Sequence, residues 1–177
     1  KVYNTITGYY TRKATNPDNT IYNSGIGSDQ PWIELRYAEL LLDYAEAQNE
    51  YLAVPDGSVY DAVNAIRERA GITAVIPAGS LSKDSMRNLI RNERYVELCF
   101  EKKRYWDIRR WNLASALLNG KKYTGVVITK QPDNTFTYEY VPVDARPNVF
   151  QPKMNYMPIP QTEITKNRNL EQNPGWD

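Results

Sequence analysis

The run Arg36-Tyr37-Ala38-Glu39-Leu40-Leu41-Leu42-Asp43-Tyr44-Ala45 decides the fold. Its apolar positions Tyr37, Ala38, Leu41, Leu42 and Ala45 follow i, i+1, i+4, i+5 and i+8, the period of a helix that buries one face. The pattern predicts a helix from Arg36 to about Leu52, with Pro31 setting its entrance and Val54-Pro55-Asp56-Gly57 stopping it.

Reading outward toward the carboxy terminus, Ser58 is a candidate N-cap for a second helix that buries Val59, Ala62, Val63, Ile66 and Ala70 and closes at Gly71. After Pro77 and Gly79, Ser82 opens a third helix with Met86, Leu89, Ile90, Val96, Cys99 and Phe100 on its apolar side and an end near Lys102. A fourth takes Tyr105, Ile108, Trp111, Ala114, Leu117 and Leu118 and ends at Gly120. Two pairs with short loops imply antiparallel hairpins stacked as in a helical repeat.

Beyond Gly120 the period falls to two. Val126 to Thr129, the turn Gln131-Pro132-Asp133-Asn134, and the alternation of Phe136, Tyr138 and Tyr140 with Thr137 and Glu139 predict a β-hairpin. Pro142, Pro147, Pro152, Pro158, Pro160 and Pro174 then forbid long helices, so the remainder reads as extended chain laid across the helices and packed through Phe150, Met154, Tyr156, Met157, Ile159 and Trp176. In the other direction, the polar stretch 1–30 holds turn signals at Asn16-Pro17-Asp18-Asn19 and Ser24-Gly25. The expected organisation is therefore an irregular Tyr-rich loop over 1–30, helical pairs over 31–120, and a hairpin with an extended tail over 121–177.

Composition removes whole classes of function. The 22 Lys and Arg against 21 Asp and Glu leave a formal charge of +1, with no basic cluster of the kind that phosphate backbones require, so nucleic acid is not an expected partner. The absence of His and the single Cys99 exclude Ser-His-Asp and Cys-His catalysis, His-ligated zinc and intrachain disulfides. Cys99 reads as a small buried hydrophobe. The Asx pairs Asp18-Asn19 and Asp133-Asn134 sit in turn sequences that favour them without calcium, and Gly25-Ile26-Gly27 lacks the strand and helix of a phosphate loop. No cofactor or metal is expected.

The 14 Tyr and 4 Trp call for a role, since flat amphipathic rings serve sugar stacking as well as cores. Trp111 lies on an apolar helix side and Trp176 ends the proline-fixed tail, so both are expected in the core. Trp32, Tyr9, Tyr10 and Tyr22 belong to the polar loop and are the candidate stacking residues. Glu93, Glu97, Glu101 and Asp107 are interleaved with Arg87, Arg91, Arg94, Arg104, Arg109 and Arg110. Glu93 and Glu97 share a helical face at a spacing that a retaining glycosidase uses, but carboxylates crowded by guanidinium groups stay charged, and a general acid must hold a proton. A structural network of Glu93, Arg94, Glu97, Glu101, Arg104, Asp107 and Arg109 is the expected role.

Several segments in order then carry a resemblance: Trp32-Ile33-Glu34-Leu35-Arg36-Tyr37-Ala38-Glu39-Leu40-Leu41-Leu42, Val63-Asn64-Ala65-Ile66-Arg67-Glu68-Arg69-Ala70-Gly71, Ile90-Arg91-Asn92-Glu93-Arg94-Tyr95-Val96-Glu97-Leu98-Cys99-Phe100-Glu101, and Arg104-Tyr105-Trp106-Asp107-Ile108-Arg109-Arg110-Trp111. Tyr44-Ala45-Glu46-Ala47, Met157-Pro158-Ile159-Pro160-Gln161-Thr162-Glu163-Ile164 and Asn169-Leu170-Glu171-Gln172-Asn173-Pro174-Gly175-Trp176 complete the set. Over 32–176 the chain resembles the carboxy-terminal part of the SusD/RagB family of outer-membrane nutrient-binding lipoproteins. The resemblance implies a mainly α fold of tetratricopeptide-like helix pairs and a non-catalytic, lipid-anchored surface protein of Gram-negative Bacteroidota. It also implies two partners: a SusC-like TonB-dependent transporter, which the protein caps, and an oligosaccharide or polysaccharide, or sometimes a peptide. Family members are longer and begin at a lipidated Cys, so this chain, which starts Lys1-Val2-Tyr3-Asn4, is expected to be the carboxy-terminal portion of a longer protein.

Overall fold

The computed structural model describes residues 5–13, 31 and 33–176. Among them the elements run α1 (Tyr37–Tyr51), α2 (Gly57–Arg69), α3 (Lys83–Glu97), α4 (Arg104–Arg110), α5 (Ala114–Leu118), β1 (Thr124–Lys130), β2 (Phe136–Pro142), a 3-10 turn (Pro152–Asn155) and α6 (Gln161–Lys166). They fall into two compact units, Asp18–Tyr105 and Lys1–Pro17 with Trp106–Asp177.

The first unit is helical. Leu42 and Ala45 of α1, Val59, Tyr60, Val63 and Ile66 of α2, and Met86 and Ile90 of α3 are shut off from solvent. Their apolar burial drives the assembly, with α1 packed on both other helices. Tyr37, placed by periodicity on the buried side, is instead exposed, and Glu39 and Asn49 take inner positions on α1.

The polar contacts give the direction. Arg36 before α1 bonds Glu97 and Glu101 at the end of α3, Arg87 reaches Glu50, and Lys83 at the start of α3 donates to the carbonyls of Glu50 and Leu52 at the end of α1. Hence α1 runs antiparallel to α3. By contrast, Tyr60 near the start of α2 meets Leu81, and Arg67 and Arg69 at its end meet Glu93 and Glu97, so α2 and α3 run parallel. That arrangement needs a connection that returns along α2. Residues 70–82 supply it, held by two side chains that imitate a strand partner. Asn64 exchanges two 3.0 Å bonds with the backbone of Ile76, and the Tyr60 hydroxyl accepts from Leu81 N at 2.9 Å and donates to its carbonyl.

Caps explain the helix limits. Asp56, not Ser58, caps α2: its Oδ1 accepts from the N–H groups of Ser58 and Val59 and from the Ser58 hydroxyl. Ser82 caps α3 as expected. Gly71 ends the turn after α2 in the left-handed region, where its N–H bonds Glu68 O. α3 stops at Glu97 rather than near Lys102. Phe100 and Lys102 both take positive φ there, which leaves Val96 and Phe100 exposed and Cys99 half-buried instead of in a core. The single helix expected to reach Gly120 is also divided. Asn112 adopts φ 55, and Leu113 N bonds Ile108 O as the chain leaves α4 for α5.

In the second unit, Ile108, Ala114 and Phe150 form a small core with Leu118 and Met154 against it. The hairpin follows the expected register, with Val126 opposite Tyr140, Ile128 opposite Tyr138 and Lys130 opposite Phe136 on one face. The turn is closed by Asp133 Oδ1, which accepts from Thr135 N and Oγ1 and so serves the Asx-turn role. The tail is not simply extended, since it contains the 3-10 turn and α6, and Tyr156 and Met157 are exposed rather than packed. Gln172 brackets the backbone of Ile159 with bonds of 2.8 and 2.9 Å, and Trp176, half-buried, donates Nε1 to the carbonyls of Lys153 and Tyr156.

Met86→Ala is expected to cost about 2–5 kcal/mol in urea unfolding of the intact protein, because the site is fully enclosed. Tyr51→Ala, at an 84% exposed position, should stay within about 0.5 kcal/mol. The hydrogen bond from Ser58 holds the Asp56 carboxyl below its ordinary value of 3.8. Its contribution is present above that value and is lost as pH falls through the lowered one. Asp56→Asn retains the cap and should remove this part of the acid limb in a circular-dichroism titration of helicity.

Candidate functional site

Of the four predicted stacking residues, Trp32 and Tyr22 lie outside the described residues. Tyr9 and Tyr10 belong to the second unit and are 57% and 68% exposed. Their segment is fastened to β1 at one point, where Val126 N donates to Thr7 O at 2.9 Å. Two glycines permit that approach. Gly8 has φ 71, and a Cβ there would meet Val126 O at 2.0 Å; a Cβ on Gly125 would meet the Thr7 backbone at 2.9 Å. The chain then leaves the strand edge with both tyrosine rings uncovered.

The hairpin adds rings that sequence reasoning had assigned only to strand pairing. Phe136, Tyr138 and Tyr140 alternate along β2, so all three project on the face that also bears Ile128 and Lys130, and all are more than half exposed. Period-two alternation was the available signal. Alternation sets which residues share a face and is silent on whether a second layer covers it. This unit therefore presents Tyr9, Tyr10, Tyr138 and Tyr140 as apolar rings with a polar hydroxyl, and Phe136 as a wholly apolar ring, flat surfaces that suit the apolar faces of sugars.

The charged residues divide between the units. In the helical unit, the Arg36 guanidinium gives Nε and Nη2 to the two Glu101 oxygens, each at 2.8 Å, and also bonds Glu97 Oε1 at 2.5 Å and the Glu97 carbonyl at 2.7 Å. Bonding to Glu101 and Glu97 raises the Arg36 pKa against the opposing effect of burial. Glu97 also binds Arg69, Glu93 binds Arg67 at 2.7 Å, and buried Arg94 reaches Asp43. Arg104 lies 4.5 Å over the Tyr95 ring. Lys103 meets Glu39 at 3.0 Å. In the other unit, buried Asp107 holds Arg110 at 2.9 Å and Arg109 covers the Phe150 ring.

Sequence reasoning placed seven of these residues in one network and missed Arg36, Arg67 and Arg69, the three that partner Glu93, Glu97 and Glu101. Those arginines are 26 or more residues away in the chain, so local spacing does not reveal them. As a catalytic pair Glu93 and Glu97 are badly served, because each is bonded to guanidinium groups of neighbouring elements. Among the described residues, no three Asp, Glu or Cys side chains gather as a metal site, and no helix is long and apolar enough to cross a membrane.

Arg36→Gln should destabilise the intact protein by about 2–3 kcal/mol in denaturant titration, since it strips two half-buried carboxylates of a shared cation. Arg36→Lys should recover only part of this, because an ammonium cannot reproduce the fork.

Comparison with known proteins agrees with this architecture. The SusD family profile matches residues 2–176. The SusD-like protein P2 of Formosa agariphila is 35% identical over 162 residues, covering 87% of this chain and 28% of that protein. A SusD-like protein of Bacteroides fragilis superposes with a TM-score of 0.66 at 32% identity, over 82% of this chain and 26% of its own. A SusD homologue of Bacteroides thetaiotaomicron gives 0.61 at 32% identity, over 87% and 29%. The chain thus spans between a quarter and a third of the length of these relatives. Its mainly helical, tetratricopeptide-like fold with one small hairpin is theirs, and the chain belongs to the SusD family.

Proposed function

We propose that this chain is part of a non-catalytic, cell-surface glycan-binding component of a SusC/SusD-type nutrient uptake system. Membership of the SusD family carries the reading. In it, the protein is held at the outer membrane by a lipid anchor, caps a SusC-like TonB-dependent transporter and hands it an oligosaccharide or polysaccharide. Binding rests on rings that stack on apolar sugar faces, with Trp32, Tyr9, Tyr10 and Tyr22 as the assigned platform and Asn, Asp and Arg side chains for the hydroxyls. The uncovered rings of Tyr9 and Tyr10 support that assignment, and the guanidinium-bound carboxylates support a role without bond cleavage.

A second reading, a helical-repeat scaffold whose ligand is protein only, is favoured by one observation. Tyr37, Leu40, Tyr44 and Tyr51 form an exposed row along α1, a face suited to another protein surface.

Native electrophoresis of the intact protein through gels containing plant, host and microbial polysaccharides separates the two. Retardation by a polysaccharide without release of reducing ends is expected. Alanine at Trp32, Tyr9, Tyr10 and Tyr22 together should then weaken binding by about tenfold or more; unchanged mobility would move the platform elsewhere. Co-purification with a large membrane protein and no retardation by any polysaccharide would establish the scaffold instead.

A further inference from the structure

The hairpin sorts its charged side chains by face. Lys130 of β1 stands opposite Phe136 and shares a face with Ile128, Tyr138 and Tyr140, whereas Glu139 falls between the two tyrosines and lies on the other face with Thr129 and Thr137. Phe136, Tyr138, Tyr140 and Ile128 are each half exposed or more, and Lys130 is exposed beside them. Among the described residues, neither the Lys130 ammonium nor the hydroxyls of Tyr138 and Tyr140 are engaged by the protein. The ring face therefore carries one open cation and no carboxylate of either strand.

The rings are also held in line. The strands pair without a break from Thr124 opposite Pro142 to Lys130 opposite Phe136. The tip is tied by Gln131 N donating to Thr135 O at 2.9 Å and by Gln131 Nε2 donating to the Thr137 hydroxyl at 3.0 Å. Neighbours on one face of a strand stand about 7 Å apart, so the three rings make a row about 14 Å long. A row fixed before any ligand arrives lowers the ordering cost of binding.

Charge chooses among the occupants such a row could take. A nucleic-acid strand brings a phosphate with every nucleotide and calls for a cation at each, but this face offers one ammonium. A lipid surface is opposed by the tip beyond the rings, Gln131-Pro132-Asp133-Asn134, which is polar and acidic. A saccharide chain meets the whole face. Its apolar faces stack on successive rings, its hydroxyls reach the open phenols, and an acidic substituent complements Lys130.

We infer that the ring face of the hairpin is a second glycan platform, on which an acidic saccharide chain lies along β2. Its sugar faces rest on Phe136, Tyr138 and Tyr140, and a carboxylate or sulfate meets Lys130. The inference rests on the glycan-binding reading above, adds a site beyond Tyr9, Tyr10, Tyr22 and Trp32, and names the sugar class.

Calorimetric titration of the intact protein with an oligogalacturonate and its methyl ester, and with a sulfated galactan oligosaccharide and its desulfated form, tests it. At least one acidic probe should bind about three- to fivefold more tightly than its neutral counterpart, a preference that fades as salt is raised. The pair that shows it identifies carboxylate or sulfate. Lys130→Gln should abolish the preference and Lys130→Arg should keep it. Tyr138→Thr removes the central ring and keeps strand propensity; it should weaken binding about three- to tenfold and leave the urea midpoint unchanged. Glu139→Gln, on the opposite face, should leave affinity within about twofold. Failure of both acidic probes to bind, equal affinity for acidic and neutral forms, or acidic binding that survives Tyr138→Thr overturns the assignment. A large loss of stability in Tyr138→Thr would show the face covered by another part of the protein, and tighter binding of an oligothymidylate would hand it to nucleic acid; either result also overturns it. In the polysaccharide gels, retardation that Tyr138→Thr leaves unchanged removes this platform alone, whereas no retardation by any polysaccharide removes the glycan-binding reading itself.

Discussion

α3 completes the C-terminal end of α1 and fixes the position of its N-terminal end. Arg36, at the N-cap position, makes no capping bond to the helix and spends its guanidinium on Glu97, the last residue of α3, and on Glu101 in the turn beyond it. At the other end, the last carbonyls of α1 accept from the ammonium of Lys83, the first residue of α3. A helix with four open carbonyls needs such partners, and here the partner also sets the antiparallel direction. Ala45 can then be enclosed with Val59, Val63, Met86 and Ile90, and Leu42 with Ile66 and Leu98. The order of the helical unit follows from this exchange: polar contacts set alignment and apolar burial supplies the driving force.

The second unit solves a different problem. Its elements are of seven residues or fewer, too short to persist alone. Side-chain amides and an indole substitute for missing backbone partners: Gln172 for Ile159, Asn119 for Phe150, Trp176 for Lys153 and Tyr156. Gly8 and Gly125 allow a neighbouring segment to close on the hairpin at van der Waals range. What these contacts hold in place is a surface of uncovered aromatic rings.

The existence and inner faces of α2 and α3 were legible because Val59, Ala62, Val63 and Ile66, and Met86 and Ile90, repeat at helical spacing and are buried in the structure. Periodicity failed at Val96, Cys99 and Phe100, where no glycine or proline announces the stop and two positive φ values turn the chain out of the helix. It failed again at Asn112, where an asparagine in the left-handed region splits one apolar run into α4 and α5. Among site residues, the tyrosines of the loop and the hairpin could be found by composition. Their exposure could not, since it depends on whether a second layer covers them.

The amino-acid sequence alone determined the mainly helical class, the hairpin turn, the absence of histidine chemistry and the ordered segments shared with the SusD family. These are local or compositional properties, set by residue type and near-neighbour spacing. Tertiary structure decided which carboxylate meets which arginine, which rings stay uncovered, and that Asn112 bonds Asn155, 43 positions later. Those outcomes depend on chain segments converging in space, and pairings across such separations leave no period in the sequence.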